Sequence, residues 1–171
     1  MNDRRQYFGK YRGMVLANLD PMQMGRVMVQ VPDVLGLSTS SWAMPCFPVT
    51  GKSMGFYSIP QIGTGVWVEF EQGDVDHPIW SGCWYGSASD VPSIALATVP
   101  PLSSVVMQTA AQVTFQLSDL PGPTGGILLK TASGAMIAIN DVGITITNGK
   151  GATIALNGPT VTINNGALAI T

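Results

Sequence analysis

Apolar residues in the last third of the chain come in couples two positions apart: Ile137/Ile139, Ile144/Ile146, Ile154/Leu156, Val161/Ile163 and Leu168/Ile170. The couples start 7, 10, 7 and 7 residues apart. A strand points alternate side chains to one face, so each couple predicts a short strand with one apolar side. Asn140-Asp141-Val142-Gly143, Asn148-Gly149-Lys150-Gly151 and Asn157-Gly158-Pro159 separate the couples, and these residue types form turns. Thr145, Thr147, Thr153, Thr160 and Thr162 fall on the opposite faces, where a strand former that tolerates water belongs. Residues 133–149 laid over residues 150–166 give nine identities, so the pattern is a seventeen-residue repeat. Gly126-Ile127-Leu128-Leu129 aligns with the run that starts at Gly143, which extends the pattern upstream.

A ribbon of four-residue strands with one apolar face is marginal alone, because its face and its edges stay exposed. Three copies about one axis would bury that face, at ~1.5–3 kcal/mol per aliphatic side chain, and close edge hydrogen bonds between chains. A single-chain solenoid or sandwich is the competing arrangement. The predicted trimer core is Ile137, Ile139, Ile144, Ile146, Ile154, Leu156, Val161, Ile163, Leu168 and Ile170.

Upstream, residues 11–18, 26–31, 42–49, 65–71 and 78–85 read as strands. Val66, Val68 and Phe70 share one face of their segment, as do Val27, Val29 and Val31 of theirs. Asp20-Pro21, Pro32-Asp33, Gly63-Thr64-Gly65 and Gly73-Asp74 supply turns. No segment carries an amphipathic-helix period. Five short strands in some eighty residues suit a small closed barrel, and the five-stranded OB-fold has that count. Residues 87–104 are rich in Ser, Ala and Pro and read as a linker. Val113-Thr114-Phe115-Gln116-Leu117 alternates as a strand does, which predicts a β-type collar before the rod.

Charge sharpens this division. Of 8 basic and 10 acidic side chains, only Asp119, Lys130, Asp141 and Lys150 lie beyond residue 90. The net charge of −2 offers no basic field to nucleic acid. No apolar run approaches the ~18 residues of a membrane span, and Met1-Asn2-Asp3-Arg4-Arg5 does not open a secretory signal, so assembly in the cytoplasm is expected. Cys46 and Cys83 lack metal-type spacing and are expected to be reduced and buried; a disulfide would need their strands to be neighbours.

The barrel segment also resembles a known family. Gly25-Arg26-Val27-Met28-Val29-Gln30-Val31-Pro32 looks like the second barrel strand of contractile-tail spike proteins. The run from Pro60 through Ile62-Gly63, Val66, Val68, Phe70 and Gly73-Asp74 to Pro78, followed by Gly82, resembles the pattern P-x-(I/V)-G-x-x-V-x-V-x-F-x-x-G-D-x-x-x-P. That pattern is shared by phage baseplate assembly protein V, the phage central spike and the VgrG spike of type VI secretion. The resemblance implies an all-β chain: an OB-fold over residues 1–90, a linker or collar over 91–124, and an intertwined three-chain β-helix over 125–171. It implies a homotrimer at a baseplate centre, seated on a hub protein at its barrel end, that plugs the tube and punctures a target envelope with transient membrane contact. The particle would be a phage tail or a related injection machine.

Candidate chemistry is sparse. His77 is the one histidine, and no G-x-S-x-G run or phosphate loop accompanies it. Glu69 and Glu71 stand at i, i+2 on a predicted strand face, where solvated charge or subunit contact is expected rather than a cleft dyad. No catalytic residue, metal site or cofactor is expected. Some phage relatives carry a lysozyme domain between barrel and rod, where this chain has its short linker. Several spikes end in a His-x-His iron tip, whereas this chain ends Ala167-Leu168-Ala169-Ile170-Thr171. Leu168, Ile170 and Thr171 are therefore expected to dock a separate PAAR-type tip protein. The alternative to a spike is an OB module that binds oligonucleotide or glycan and carries a trimerising tail.

Overall fold

The computed structural model describes residues 5–170, and they divide into two units, Met1–Ala88 and Ser89–Thr171. The first unit is a closed barrel. Its strands are β1 (Tyr11–Ala17), β2 (Val27–Gln30), β3 (Thr39–Pro45), β6 (Gly65–Phe70) and β7 (Pro78–Trp84), with a two-residue pair, β4 (Thr50–Gly51) and β5 (Met54–Gly55), between the third and fourth. The order around the barrel is β1-β2-β3-β7-β6, closing back on β1. All pairings are antiparallel except β3 with β7, which run parallel. This is the OB-like barrel that the strand count predicted.

Alternation explains its core. Val15, Val27, Val29, Val31, Val66, Val68 and Phe70 point inward with Ala43 and Trp80, and all are buried. Trp80 Nε1 donates to the carbonyl of Gly25 at 3.1 Å, which satisfies its one polar atom. β3 begins three residues before the sequence places it, at Thr39. There Ser40 is buried, and its hydroxyl accepts a 3.0 Å hydrogen bond from the N–H of Val29 where the β2–β3 register slips. A polar residue thus does a core strand's work, because its oxygen substitutes for the carbonyl that the bulge displaces.

The β1–β2 turn is held by one carboxylate. Asp20 accepts from the N–H groups of Met22 (2.9 Å), Met24 (2.9 Å) and Arg26 (3.2 Å), and from Arg26 Nε (3.0 Å) and Nη2 (2.6 Å). The Arg26 guanidinium first, and the three backbone N–H groups after it, hold this carboxyl well below the usual carboxylate range. On the barrel's outer face the Arg12 guanidinium lies over the rings of Trp67 and Trp84, at 5.6 and 5.1 Å from their centroids.

The second unit is an eight-stranded antiparallel meander: β8 (Ser104–Gln108), β9 (Thr114–Ser118), β10 (Gly126–Lys130), β11 (Met136–Asn140), β12 (Gly143–Thr147), β13 (Thr153–Asn157), β14 (Thr160–Ile163) and β15 (Leu168–Ile170). Each strand pairs with the next, so ladder bonds run within the chain along the whole meander. The segment read as a collar contributes β8 and β9 to this same sheet. Among the described residues two four-residue helices occur, α1 (Pro32–Leu35) in the first unit and α2 (Ser93–Leu96) in the second.

The seventeen-residue repeat is one hairpin long. β10 and β12 begin at positions 17 apart, and so do β11 and β13. The equivalent glycines Gly126 and Gly143 have positive φ (78° and 152°), and a Cβ on either would lie 2.0 Å from the carbonyl oxygen of Ile139 or Leu156. Only a residue without a side chain lets these strand starts cross so closely.

Candidate functional site

The register of the meander assembles the apolar couples into two rows that cross the sheet. One row is Val105, Leu117, Ile127, Ile139, Ile144, Leu156 and Val161, each opposite the next. The other is Met107, Phe115, Leu129, Ile137, Ile146, Ile154, Ile163 and Leu168. The rows lie two residues apart on every strand, hence on one face. Cross-strand neighbours on a face are 4.5–5.5 Å apart at Cβ, so each row is a continuous apolar strip. The Cα of Ile170 stands opposite Val161 in the first row, while its side chain, like Thr171, lies outside the described residues.

One chain does not cover this face. Ile137, Ile139, Ile146 and Ile154 keep between 39 and 42 % of their surface, Leu168 keeps 53 %, and Ile127, Leu129, Val105 and Met107 are likewise exposed. Ile144, Leu156, Val161 and Ile163 are half-buried. The structure therefore brings nine of the predicted core residues onto one open face. Val105, Met107, Phe115, Leu117, Ile127 and Leu129 extend the same rows and were not among the predicted ones. Their signal was present in the alternation of 113–117 and in the alignment of Gly126-Ile127-Leu128-Leu129 with the repeat.

The row between the strips, on the other face, is Val106, Gln116, Leu128, Ala138, Thr145, Ala155 and Thr162. Beyond β10 it is made only of Ala and Thr. Large side chains on one face and small ones on the other make the sheet strongly two-sided.

Among the described residues, no three His, Cys, Asp or Glu side chains cluster as metal ligands would. Strand β6 ends at Phe70, and Glu71 opens a short 3-10 turn (Glu71–Gly73), so it does not share a strand face with Glu69 as expected. Glu69 pairs with Lys10 at 3.2 Å, and Lys10 also donates to Ser81 Oγ at 2.8 Å. His77 Nδ1 stands 3.3 Å from Asp74 Oδ2, with both side chains in solvent. Cys46 and Cys83 are free, and they are exposed rather than buried, because each occupies an outward position near a strand end. Cys46 directly follows β3 and Cys83 lies in its neighbour β7, and the thiols remain separate. Partial burial raises the pKa of the Cys83 thiol.

The two units thus define a class: an OB barrel followed by a sheet with one open apolar face. Comparison with known proteins gives the class its family. Residues 11–85 match the type VI secretion system/phage-baseplate injector OB domain, and residues 104–169 match the phage baseplate V C-terminal trimerisation domain. The chain is also similar to the type VI secretion system spike protein VgrG5 of Pseudomonas aeruginosa, with 42% identity over 74 residues. That match spans 41% of this chain and 9% of VgrG5. The chain is a baseplate V/VgrG-like protein, a member of a family of structural injection-machine components.

Proposed function

We propose that this protein is the central spike of a contractile injection machine, a homotrimer whose barrels seat on a baseplate hub and whose sheets form a rigid needle that punctures the target envelope. The observation that carries the reading is the pair of apolar rows on a fully laddered sheet. Ladder bonds already close within each chain, so the remaining free energy lies in the face. Three such faces turned toward one axis bury Ile, Leu and Val, and turn the Ala and Thr row to solvent. At ~25 cal/mol per Å² of apolar area, a face of this length contributes tens of kcal/mol per trimer before ordering costs. The match to a trimerisation domain over residues 104–169 supports three copies.

The mechanism is mechanical. Sheath contraction would load the barrels, and the sheets would transmit that load along the rod without any reaction being catalysed. A PAAR-type tip protein would take the end that carries Leu168, Ile170 and Thr171, and the assembled particle would be a phage tail baseplate or its equivalent. An excess of acidic over basic side chains disfavours the alternative of oligonucleotide binding.

Light scattering tests the reading. A mass of three chains of 18.0 kDa that persists in mild detergent is the expected result. A monomer at micromolar concentration sinks the spike proposal.

A further inference from the structure

Three turns of the meander carry the dipeptide Asn-Gly: Asn148-Gly149, Asn157-Gly158 and Asn165-Gly166. This pair of residues has a chemistry of its own. The backbone nitrogen of the glycine attacks the side-chain carbonyl carbon of the asparagine, and glycine has no side chain to obstruct the approach. A new C–N bond forms, the bond to the side-chain nitrogen breaks, and ammonia leaves with the proton shed by the attacking nitrogen. The five-membered imide then takes up one water, which opens either of its two carbonyls. The net change is asparagine plus water to aspartic acid, or its β-linked isomer, plus ammonia. Ring closure needs the carboxamide and the following peptide group to turn toward each other. Hydrogen bonds and packing that fix either group therefore oppose it, and local opening of the turn permits it.

Asn148 and Asn165 hold the same place in the seventeen-residue repeat, but their surroundings differ. Asn148 Oδ1 accepts from the N–H groups of Lys150 (2.8 Å) and Ala152 (3.1 Å), and the N–H of Gly149 donates to Thr147 Oγ1 at 3.1 Å. Gly149 is also wedged against the preceding turn, where an added Cβ would lie 2.7 Å from the carbonyl carbon of Gly134 and from the oxygen of Ser133. Both reacting groups are thus tied down. With its carboxamide nitrogen facing acceptors, Asn157 donates to the carbonyls of Val142 (3.3 Å) and Leu156 (3.1 Å). Asn165 has no such hold. It is exposed, its backbone is left-handed (φ 55°, ψ 34°), and its side chain makes no hydrogen bond among the described residues. Its turn leads into β15, a strand of three residues whose one ladder partner is β14. A turn before such a terminal strand opens at the least cost, whereas those at Asn148 and Asn157 lie between strands paired on both sides.

We infer that Asn165-Gly166 is a site of spontaneous deamidation, where the folded chain acquires a carboxylate with time, while Asn148 and Asn157 keep their amides. The change adds a negative charge beside the last strand of a sheet whose acidic side chains are otherwise Asp119 and Asp141. The test incubates the full chain at mildly alkaline pH, folded and, in parallel, unfolded in urea. Peptide mass spectrometry then follows the mass gain that marks an amide turned into an acid at each of the three asparagines. In the folded protein Asn165 is expected to convert faster than Asn148 and Asn157 by on the order of tenfold, the gap that separates an end turn from interior ones. In urea the three rates should draw together. Equal rates in the folded protein overturn the inference, as does an Asn165 that stays intact while the urea sample converts. A preference for Asn165 that persists undiminished in urea also overturns it, since sequence rather than fold would then select the site.

Discussion

In the barrel, Val27, Val29, Val66 and Val68 are completely buried, whereas in the meander Ile137, Ile139, Ile146 and Ile154 keep about two-fifths of their surface. The residues are of one kind, β-branched and aliphatic, and in both regions they recur at every second position. The difference lies in closure. The parallel pairing of β3 with β7 curls five strands until inward side chains meet across a common interior. The meander only ever pairs nearest neighbours, so its end strands β8 and β15 never meet and its apolar face has no opposite wall. One unit completes its core with its own chain; the other leaves its apolar face open.

The sharpest way to break this comparison is to place a charge in each region. Ile146→Asp puts a carboxylate in the middle of the second apolar row. In one chain the new group reaches water, so the meander tolerates it. In a trimer three carboxylates would be forced together in an apolar interior, which is far costlier than the assembly can absorb. The expected outcome is collapse of the light-scattering mass from three chains to one. Val68→Asp, by contrast, should unfold the barrel itself. Trp42, Trp67, Trp80 and Trp84 all lie in the barrel, so tryptophan fluorescence reads that unit alone. The fluorescence of the Ile146→Asp protein should stay native.

A milder pair sharpens the same contrast. Phe70→Ala opens a cavity in a closed core and should cost about 3–5 kcal/mol at any protein concentration. Leu129→Ala truncates a residue of the open face. Its cost, about 2–5 kcal/mol once the face is covered, should appear as a melting temperature that falls further as the protein is diluted. Equal behaviour of the two variants across a dilution series would contradict the division into a self-sufficient barrel and a shared core.

Much of this was legible in the sequence, for physical reasons that differ between the units. Alternation in 65–71 located β6, and the seventeen-residue period located β10 through β14, because strand faces and hairpin lengths are written directly in spacing. The start of β3 was not legible. Its buried member is Ser40, whose place depends on a bulge in the neighbouring strand, a long-range fact with no local signature. The exposure of Cys46 and Cys83 was missed for a related reason: cysteine's usual burial says nothing about which side of a strand end it occupies. The chain's own ladder was also underestimated. Turns of a few residues let each strand pair with its successor, so successive strands close their ladders within one chain, and the apolar face and the outer edges of β8 and β15 stay open.

The smallest expected effect separates the units by pH. The Asp20 carboxyl is held below its ordinary value, about 3.9, by Arg26 and three backbone N–H groups. A carboxyl with a depressed folded pKa contributes stability above its unfolded pKa and loses it as pH falls toward the folded value. The contribution should therefore be constant from pH 7 down to about 4 and decline below that. The meander has only Asp119, Asp141, Lys130 and Lys150 as charged side chains in strands and turns, and none forms a comparable network with a guanidinium. On acidification the barrel's melting temperature, followed by tryptophan fluorescence, should drop before the trimer mass changes. Asp20→Asn keeps an acceptor for the turn but removes the charge. It should lower the barrel's melting temperature at pH 7 and flatten its dependence between pH 4 and pH 2, while leaving the mass of the assembly unchanged. A wild-type barrel whose melting is already flat across that acid range would show that the turn's stability owes nothing to the ionised carboxylate.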